Sequence, residues 1–193
     1  DGKALGQAGD EAANAMLCRE IRAARPDDAL LSEEEKDNVA RCGQIRVWIV
    51  DPLDGTREFS EGRDDWAVHV ALWERGDLTA GAVALPGLDA VLSTADPAPE
   101  AWPVPARVRL AVSRSRPTPL VQRLAELLDA ELVPMGSAGY KAGAVVRGEV
   151  DAYVHSGGQY EWDSAAPVAV ARRAGLFTSR VDGSPLRYNA PDP

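Results

Sequence analysis

The sequence predicts a layered α/β fold, on two rhythms and the break between them. In the first half, Trp66, Val68, Val70 and Leu72 recur with period two, the mark of a strand with one buried face. In the second half, short apolar runs alternate with helix-like stretches, which places helices on the faces of a sheet. Between the two, residues 95–106 carry Pro97, Pro99, Pro103 and Pro105 without periodicity. They read as the connection between an N-terminal α+β subdomain, 1–105, and a C-terminal α/β subdomain, 106–193.

In chain order, Asp10-Glu11 reads as a helix start, because an Asp side chain accepts from the free N–H groups of a first turn. Ala13, Met16, Leu17, Ile21 and Ala24 continue it as an apolar stripe that Pro26 ends. Arg46–Val50 is a short apolar run suited to a buried strand, emptying into the turn Asp51–Thr56. The strand at 66–72 has partners at Leu78–Leu85 and Ala90–Thr94, joined by turns at Gly76-Asp77 and Pro86-Gly87. Beyond the proline stretch come strand Val108–Val112, helix Leu120–Leu128, strand Glu131–Pro134 and helix Ala138–Arg147. Strand Val150–Val154, helix Ser164–Ala174, a turn at Asp182–Pro185 and a last short strand, Leu186–Tyr188, complete the reading.

Composition excludes some functions. With 21 basic against 30 acidic side chains, a formal charge of −9, the chain lacks the Lys/Arg surplus that non-specific nucleic-acid or anionic-membrane binding draws on. No stretch approaches the ~20 apolar residues of a membrane helix. Cys18 and Cys42 do not make a disulfide framework for a chain this size and read as reduced thiols of a cytoplasmic protein.

Trp48-Ile-Val-Asp51-Pro-Leu-Asp54-Gly-Thr56 carries the most chemistry. A strand emptying into a turn fixes where two carboxylates point, and Thr56 adds a hydroxyl. Hard divalent cations take oxygen ligands, usually a few carboxylates with waters and phosphate oxygens. Asp51 and Asp54 are spaced to face such ions together, with the Leu53 carbonyl between them, although Asp is also common in turns as a backbone cap. Asp163, in Tyr160-Glu-Trp-Asp-Ser-Ala-Ala-Pro167, opens a helix, where a plain N-cap is the alternative. Ser32-Glu33-Glu34-Glu35 is a run of acids that would ordinarily be a solvated loop.

Taken together, these segments resemble the inositol monophosphatase superfamily of Mg²⁺-dependent, Li⁺-sensitive phosphatases. Asp51–Thr56 is similar to its D-P-x-D-G-T signature, Trp162–Ala166 with Ala174-Gly175 to its W-D-x-A-A…A-G signature, and Glu33-Glu34 to its acidic pair. The resemblance covers nearly the whole chain and implies an αβαβα sandwich of stacked sheets and helices, as in fructose-1,6-bisphosphatase. It implies two or three Mg²⁺ ions: Glu33, Asp51 and the Leu53 carbonyl on one, and Asp51, Asp54 and Asp163 on the second. Asp10 would accept from the Thr56 hydroxyl, leaving Thr56 to take a proton from the attacking water. Asp10, Glu33 and Thr56 are thus the catalytic set. The N–H groups of Gly55 and Thr56 would bind phosphate at a helix start. No His or Cys nucleophile is needed, and His69, in the alternating strand, reads as structural.

The region between the signatures lines the alcohol side. Gly136-Ser137-Ala-Gly-Tyr-Lys141 and Gly148-Glu-Val-Asp-Ala-Tyr153 resemble the 3′-phosphonucleotidase branch, the bacterial CysQ-type 3′(2′),5′-bisphosphate nucleotidases. On that resemblance the substrate is 3′-phosphoadenosine 5′-phosphate, cleaved to AMP in sulfur assimilation. Lys141, one of three lysines, would meet a second phosphate, with Ser137, His155, Tyr160 and Asp163 lining the site. A solvated lysine and a plain packing tyrosine are the alternatives. Ser113-Arg-Ser-Arg116 has arginine where nucleotide-acting members usually have histidine, and Leu176 stands where a second glycine is usual. An inositol monophosphatase or dual sugar phosphatase is the alternative activity, and a silent metal- or nucleotide-binding module the remote one. The resemblance also implies a partner that is a small nucleotide or sugar phosphate, a possible homodimer, and a polypeptide longer than these 193 residues.

Overall fold

A computed structural model describes residues 2–99, 102, 104–115 and 117–193. Arg116 lies outside the described residues. The described residues form two sheets. Strands β1 (Ala29–Ser32), β2 (Arg46–Asp54), β3 (Ala67–Glu74), β4 (Asp77–Leu85) and β5 (Ala90–Ser93) make the first in chain order. There β1 runs parallel to β2 and the other neighbours are antiparallel. Strands β6 (Arg109–Ser113), β7 (Glu131–Met135) and β8 (Ala152–Tyr153) make the second, parallel and in the order β7-β6-β8.

Helices fill the layers around them: α1 (Gly2–Ala24), α2 (Thr56–Ser60), α3 (Pro119–Leu128), α4 (Ala138–Val146) and α5 (Glu161–Arg173). Alternation along strands shows which face meets which helix. Leu31 joins the core cluster that holds Ala165, Ala166 and Val170 of α5, whereas its neighbour Ser32 bonds Asn14 of α1 on the opposite face. In β6, Leu110 and Val112 pack on Val121 and Ala125 of α3, and Ala111 packs on Ala144 of α4. The layers therefore run α1/α2, five-stranded sheet, α4/α5, three-stranded sheet, α3, the αβαβα sandwich.

Several elements depart from expectation, each for a local reason. The first helix begins at least by Gly2, so Asp10 lies inside it rather than capping it. Its glycines are contact residues: a Cβ on Gly6 would come within 2.4 Å of Ser60 Oγ and 2.9 Å of Thr56 Cγ2, and one on Gly9 within 2.7 Å of Phe59. They let α1 lie against α2. The β3 strand is present, but its buried residues are Ala67, His69, Ala71 and, of those expected, Leu72, while Val68 and Val70 are half-buried. Small residues face α5 because the helix sits close; a Cβ on Gly81 of β4 would meet Ala169 Cβ at 2.7 Å. Leu186–Tyr188 pairs with no sheet. Side chains of α5 hold it instead: Arg172 donates to the Leu186 carbonyl, and the Tyr188 hydroxyl meets Ser164 Oγ at 3.3 Å.

Elsewhere local chemistry forms what it predicts or nearly so. The turn expected at Gly76-Asp77 sits one residue earlier, where Arg75 (φ 53°) and Gly76 (φ 102°) link β3 to β4 and Asp77 already pairs with Glu74. Thr118 caps α3 by accepting from Val121 N, and Ser137 caps α4 by accepting from Tyr140 N. No helix among the described residues is long and apolar enough to cross a membrane.

Candidate active site

The site forms where β1 and β2 end side by side. Their parallel register sets Ser32 against Val50, so Glu33, whose N–H donates to the Val50 carbonyl at 3.2 Å, emerges beside Asp51. A regular strand would send Asp51 and Asp54, three residues apart, to opposite faces. It does not, because β2 does not turn off after Val50; it continues to Asp54 through an irregularity. Asp51 pairs with His69 and Asp54 with Ala67, so three steps on β2 span two on β3. That one extra residue is a β-bulge, and it returns Asp54 to the face of Asp51. Pro52, without an N–H, fits the interrupted ladder, and Asp51 Oδ1 accepts from Leu53 N at 3.0 Å.

Gly55, at φ 97°, then reverses the chain in a conformation that disfavours side chains. A Cβ there would also press on Ser137 Cβ at 2.9 Å and Trp66 Cβ at 3.1 Å. Thr56 opens α2, and its Oγ1 lies 3.2 Å from Asp10 Oδ2 and 3.1 Å from the Leu53 carbonyl. The fourth carboxylate comes from α5, which starts at Glu161 and so places Asp163 within its first turn. Asp163 Oδ2 accepts from Tyr160 N at 2.6 Å.

Asp51, Asp54 and Asp163 each offer an oxygen within 4.8 Å of the others. Asp51 Oδ2 and Asp10 Oδ1 are buried with no hydrogen-bond partner among the described residues. Clustered carboxylates that keep buried oxygens without a donor fit a hard cation, which takes oxygen ligands. Glu33 and Asp10 stand outside this tight trio but share its field.

The field shows in the acidities. Burial, then Asp54 and Glu33, drives Asp51 well above the ordinary carboxylate range. Burial and the Asp10 charge push Glu33 up to about 7; burial and Glu34 push Asp10 up to about 6, against the Thr56 hydrogen bond. Burial also raises Asp163, opposed by Tyr160 N–H. Asp54 is the exception: burial would raise it, but His69, the Gly139 N–H and Lys141 hold it below its ordinary value. Carboxyls that resist ionising without a counter-charge are what a cation site looks like before the cation is considered.

Of the residues expected on the alcohol side, Ser137, Lys141 and His155 come together, whereas Tyr160 stands apart at the surface. Ser137 is buried at the α4 start, against Gly55. Lys141 is buried rather than solvated, donating to the Gly136 carbonyl and to the Ser137 carbonyl at 2.7 Å, with Nζ 5.2 Å from the Tyr153 ring centre. Burial lowers its pKa. His155 lies near Tyr153, its Nδ1 accepts from Gly157 N, and burial and Lys141 lower its pKa. The Tyr160 ring is exposed and stacks on Trp162 at 4.7 Å.

Some of the site was not foreseen. Asp54 accepts from Ala138 N at 3.3 Å and Gly139 N at 2.5 Å, so the α4 N-terminus addresses a carboxylate as well as any substrate. His69, fully buried, lies between Asp54 and α5. Glycine at position 139, inside a helix, was the available signal of a close approach.

Residues 3–193 match the inositol monophosphatase family. A curated relative from Mycobacterium tuberculosis, named 3′-phosphoadenosine 5′-phosphate phosphatase, is 54% identical over 98% of this chain and 74% of its own length. The Escherichia coli 3′(2′),5′-bisphosphate nucleotidase CysQ is 34% identical over 94% of this chain and 78% of its own. Among solved structures, CysQ from Bacteroides thetaiotaomicron superposes with TM-score 0.74 at 28% identity, covering 91% of this chain and 78% of that one. Staphylococcus aureus inositol monophosphatase II, at 20% identity, shares the fold with TM-score 0.80 over 95% and 77% of the two chains.

Proposed function

The chain belongs to the inositol monophosphatase family, and from that premise we propose that it hydrolyses the 3′-phosphate of 3′-phosphoadenosine 5′-phosphate to give AMP and phosphate. The observation that carries this substrate is the 54% identity, over 98% of the chain, to a phosphatase named for that nucleotide. Its setting would be the cytoplasm and sulfur assimilation; the free thiols of Cys18 and Cys42 accord with a reducing compartment.

Asp51, Asp54 and Asp163, with Glu33 and the Leu53 carbonyl at the rim, would hold Mg²⁺. When bound, Mg²⁺ supplies positive charge against the phosphoryl oxygens and the departing alkoxide, and makes water acidic enough to attack. The chain's own groups do the rest. The Gly55 and Thr56 N–H groups, at the open end of α2, take a phosphoryl oxygen. Thr56 Oγ1 directs its proton to Asp10 Oδ2 and so turns a lone pair to the attacking water. The water's proton passes to Thr56 as the hydroxyl proton passes to Asp10, whose pKa of about 6 suits it to accept. On the alcohol side, Lys141 has two protons committed to carbonyls and a third for the second phosphate. His155, neutral and beside it, lines the same wall, and the Tyr160 face offers a stacking surface for the base.

The experiment is kcat/KM measured side by side on 3′-phosphoadenosine 5′-phosphate, inositol 1-phosphate and fructose 1,6-bisphosphate. The bisphosphate nucleotide should be cleaved most efficiently, and faster cleavage of inositol 1-phosphate would overturn the substrate assignment.

A further inference from the structure

His69 lies on β3, beneath the carboxylates, with none of its surface exposed. Its ring is addressed from three elements. Nδ1 is 3.1 Å from the Trp162 carbonyl of α5, which can only accept, so Nδ1 carries the proton. Nε2 is 3.3 Å from Asp54 Oδ2 at the end of β2, an ion-pair contact short of an aligned hydrogen bond, and Asp51 Oδ2 is 3.9 Å from Nδ1. Carboxylate and carbonyl both accept only, so the ring serves both with a proton on each nitrogen. From α4, position 139 closes the fourth side: a Cβ there would come within 1.8 Å of Nε2. Gly139 is also the residue whose N–H meets Asp54 Oδ2 at 2.5 Å.

Space-filling alone does not require this arrangement. A buried side chain that only packs would be cheaper without two ring nitrogens, each of which costs free energy in the core unless a polar group faces it. Here the two nitrogens face the two segments that carry ligands, Asp54 directly and Asp163 through the carbonyl of the preceding residue. We propose that His69 is a positioning residue: it orients the Asp54 carboxylate and seats the first turn of α5, so that Asp54 and Asp163 are held in place for a divalent cation, and Gly139 is required because no larger residue leaves room for the ring. This rests on the metal-site reading above.

The test is Mg²⁺ affinity of the metal-stripped full chain, by calorimetry, with Mn²⁺ binding followed by electron paramagnetic resonance as the second readout. His69→Ala should weaken both affinities about 10- to 100-fold, as loss of an outer partner of a ligand does. Activity should recover toward wild type at saturating Mg²⁺, the loss residing in metal affinity rather than in kcat. Gly139→Ala should weaken Mg²⁺ binding in the wild-type background and add little in the His69→Ala background, because the ring it would strike is gone. If His69→Ala does not fold, His69→Asn, which keeps one polar contact, carries the same measurement and should give a smaller loss. Folded variants that bind Mg²⁺ as tightly as wild type would overturn the positioning role and leave the metal site standing. A wild-type chain that binds neither ion would overturn the metal-site reading itself, and the role with it.

Discussion

Two buried charged clusters flank the first turn of α5, and they are built on opposite terms. On one side, the Arg41 guanidinium pairs with both Asp37 oxygens at 2.7 and 2.9 Å and donates to Asn189 Oδ1 and the Ala190 carbonyl. Glu161 accepts from the backbone of Asn189 at 2.7 Å and Ala190 at 2.8 Å. Burial pushes Glu161 up, while those two N–H groups and Arg41 pull it back. On the other side stand Asp51, Asp163, Glu33 and Asp10, all pushed up, while His69 and Lys141 hold Asp54 alone down. One cluster brings its own counter-charge and ties the tail segment 188–190 to the fold. The other has too little of it: five acids, three of them buried, face only His69 and Lys141, and such a surplus is a site that expects cations from solution.

The largest effect should come from the unmatched cluster. Asp54→Asn removes charge without volume; kcat/KM should fall on the order of 10³-fold, about 4 kcal/mol of transition-state stabilisation. The melting temperature of the metal-free chain should be little changed. Unaltered turnover would mean that the trio is not a cation site.

Arg41→Ala should do the reverse. It takes the donor from the buried Asn189 Oδ1 and from the Ala190 carbonyl, and the pair from Asp37, and denaturant titration should show a loss of about 3 kcal/mol, while kcat/KM of the folded enzyme stays near wild type. If activity fell as far as in Asp54→Asn, the two clusters would not be separable.

Asp37, in the first cluster, and Glu33 and Asp10, in the second, have opposite pH dependences. Asp37 is held below its ordinary 3.8 by Arg41, so its contribution is present above that value and is lost as pH falls through the lower, folded one. Glu33 rises from 4.5 to about 7 and Asp10 from 3.8 to about 6, so the folded metal-free chain keeps protons the unfolded chain has released. The stability they contribute is present below about pH 4 and is lost as pH rises through 6 and 7. Thermal melts of the chelator-treated protein should therefore fall over that interval, and Mg²⁺ should restore them. A flat profile would place those carboxyls outside the cluster's field.

The smallest effect marks the baseline. Arg123 and Glu126, an exposed pair at 3.1 Å on α3, should tolerate Arg123→Ala within a few tenths of a kcal/mol by denaturant titration. A larger loss would show that surface charge matters here as much as buried charge.

Much of this was legible in the sequence, in places set by short-range chemistry. Residues 108–147 alternate strand and helix as read, because Thr118 and Ser137 are caps and the apolar runs are short. Metal-type acids were recognisable by segment, Asp51–Thr56 and Trp162–Ala166, where spacing and residue type coincide. What escaped depends on contacts between distant segments. That Asp51 and Asp54 face one site was expected of a turn, but what brings it about is a bulge against β3, which nothing local announces. Period-two apolarity pointed to Val68 and Val70, yet the closest packing is through Ala67 and Ala71, since α5 approaches on its own small residues. Asp10 looked like a cap, because a buried mid-helix Asp has no local signal distinct from one. Leu186–Tyr188 had strand composition but found α5 side chains in place of a sheet edge.

The central claim is that the unmatched acids exist to hold cations for removal of a 3′-phosphate. Its most direct test is phosphate release from 3′-phosphoadenosine 5′-phosphate by one enzyme preparation assayed as isolated, after chelation, and after Mg²⁺ is returned. Turnover should vanish with chelator and return with Mg²⁺; turnover that persists in the chelated enzyme would show that the acids are not there for a cation.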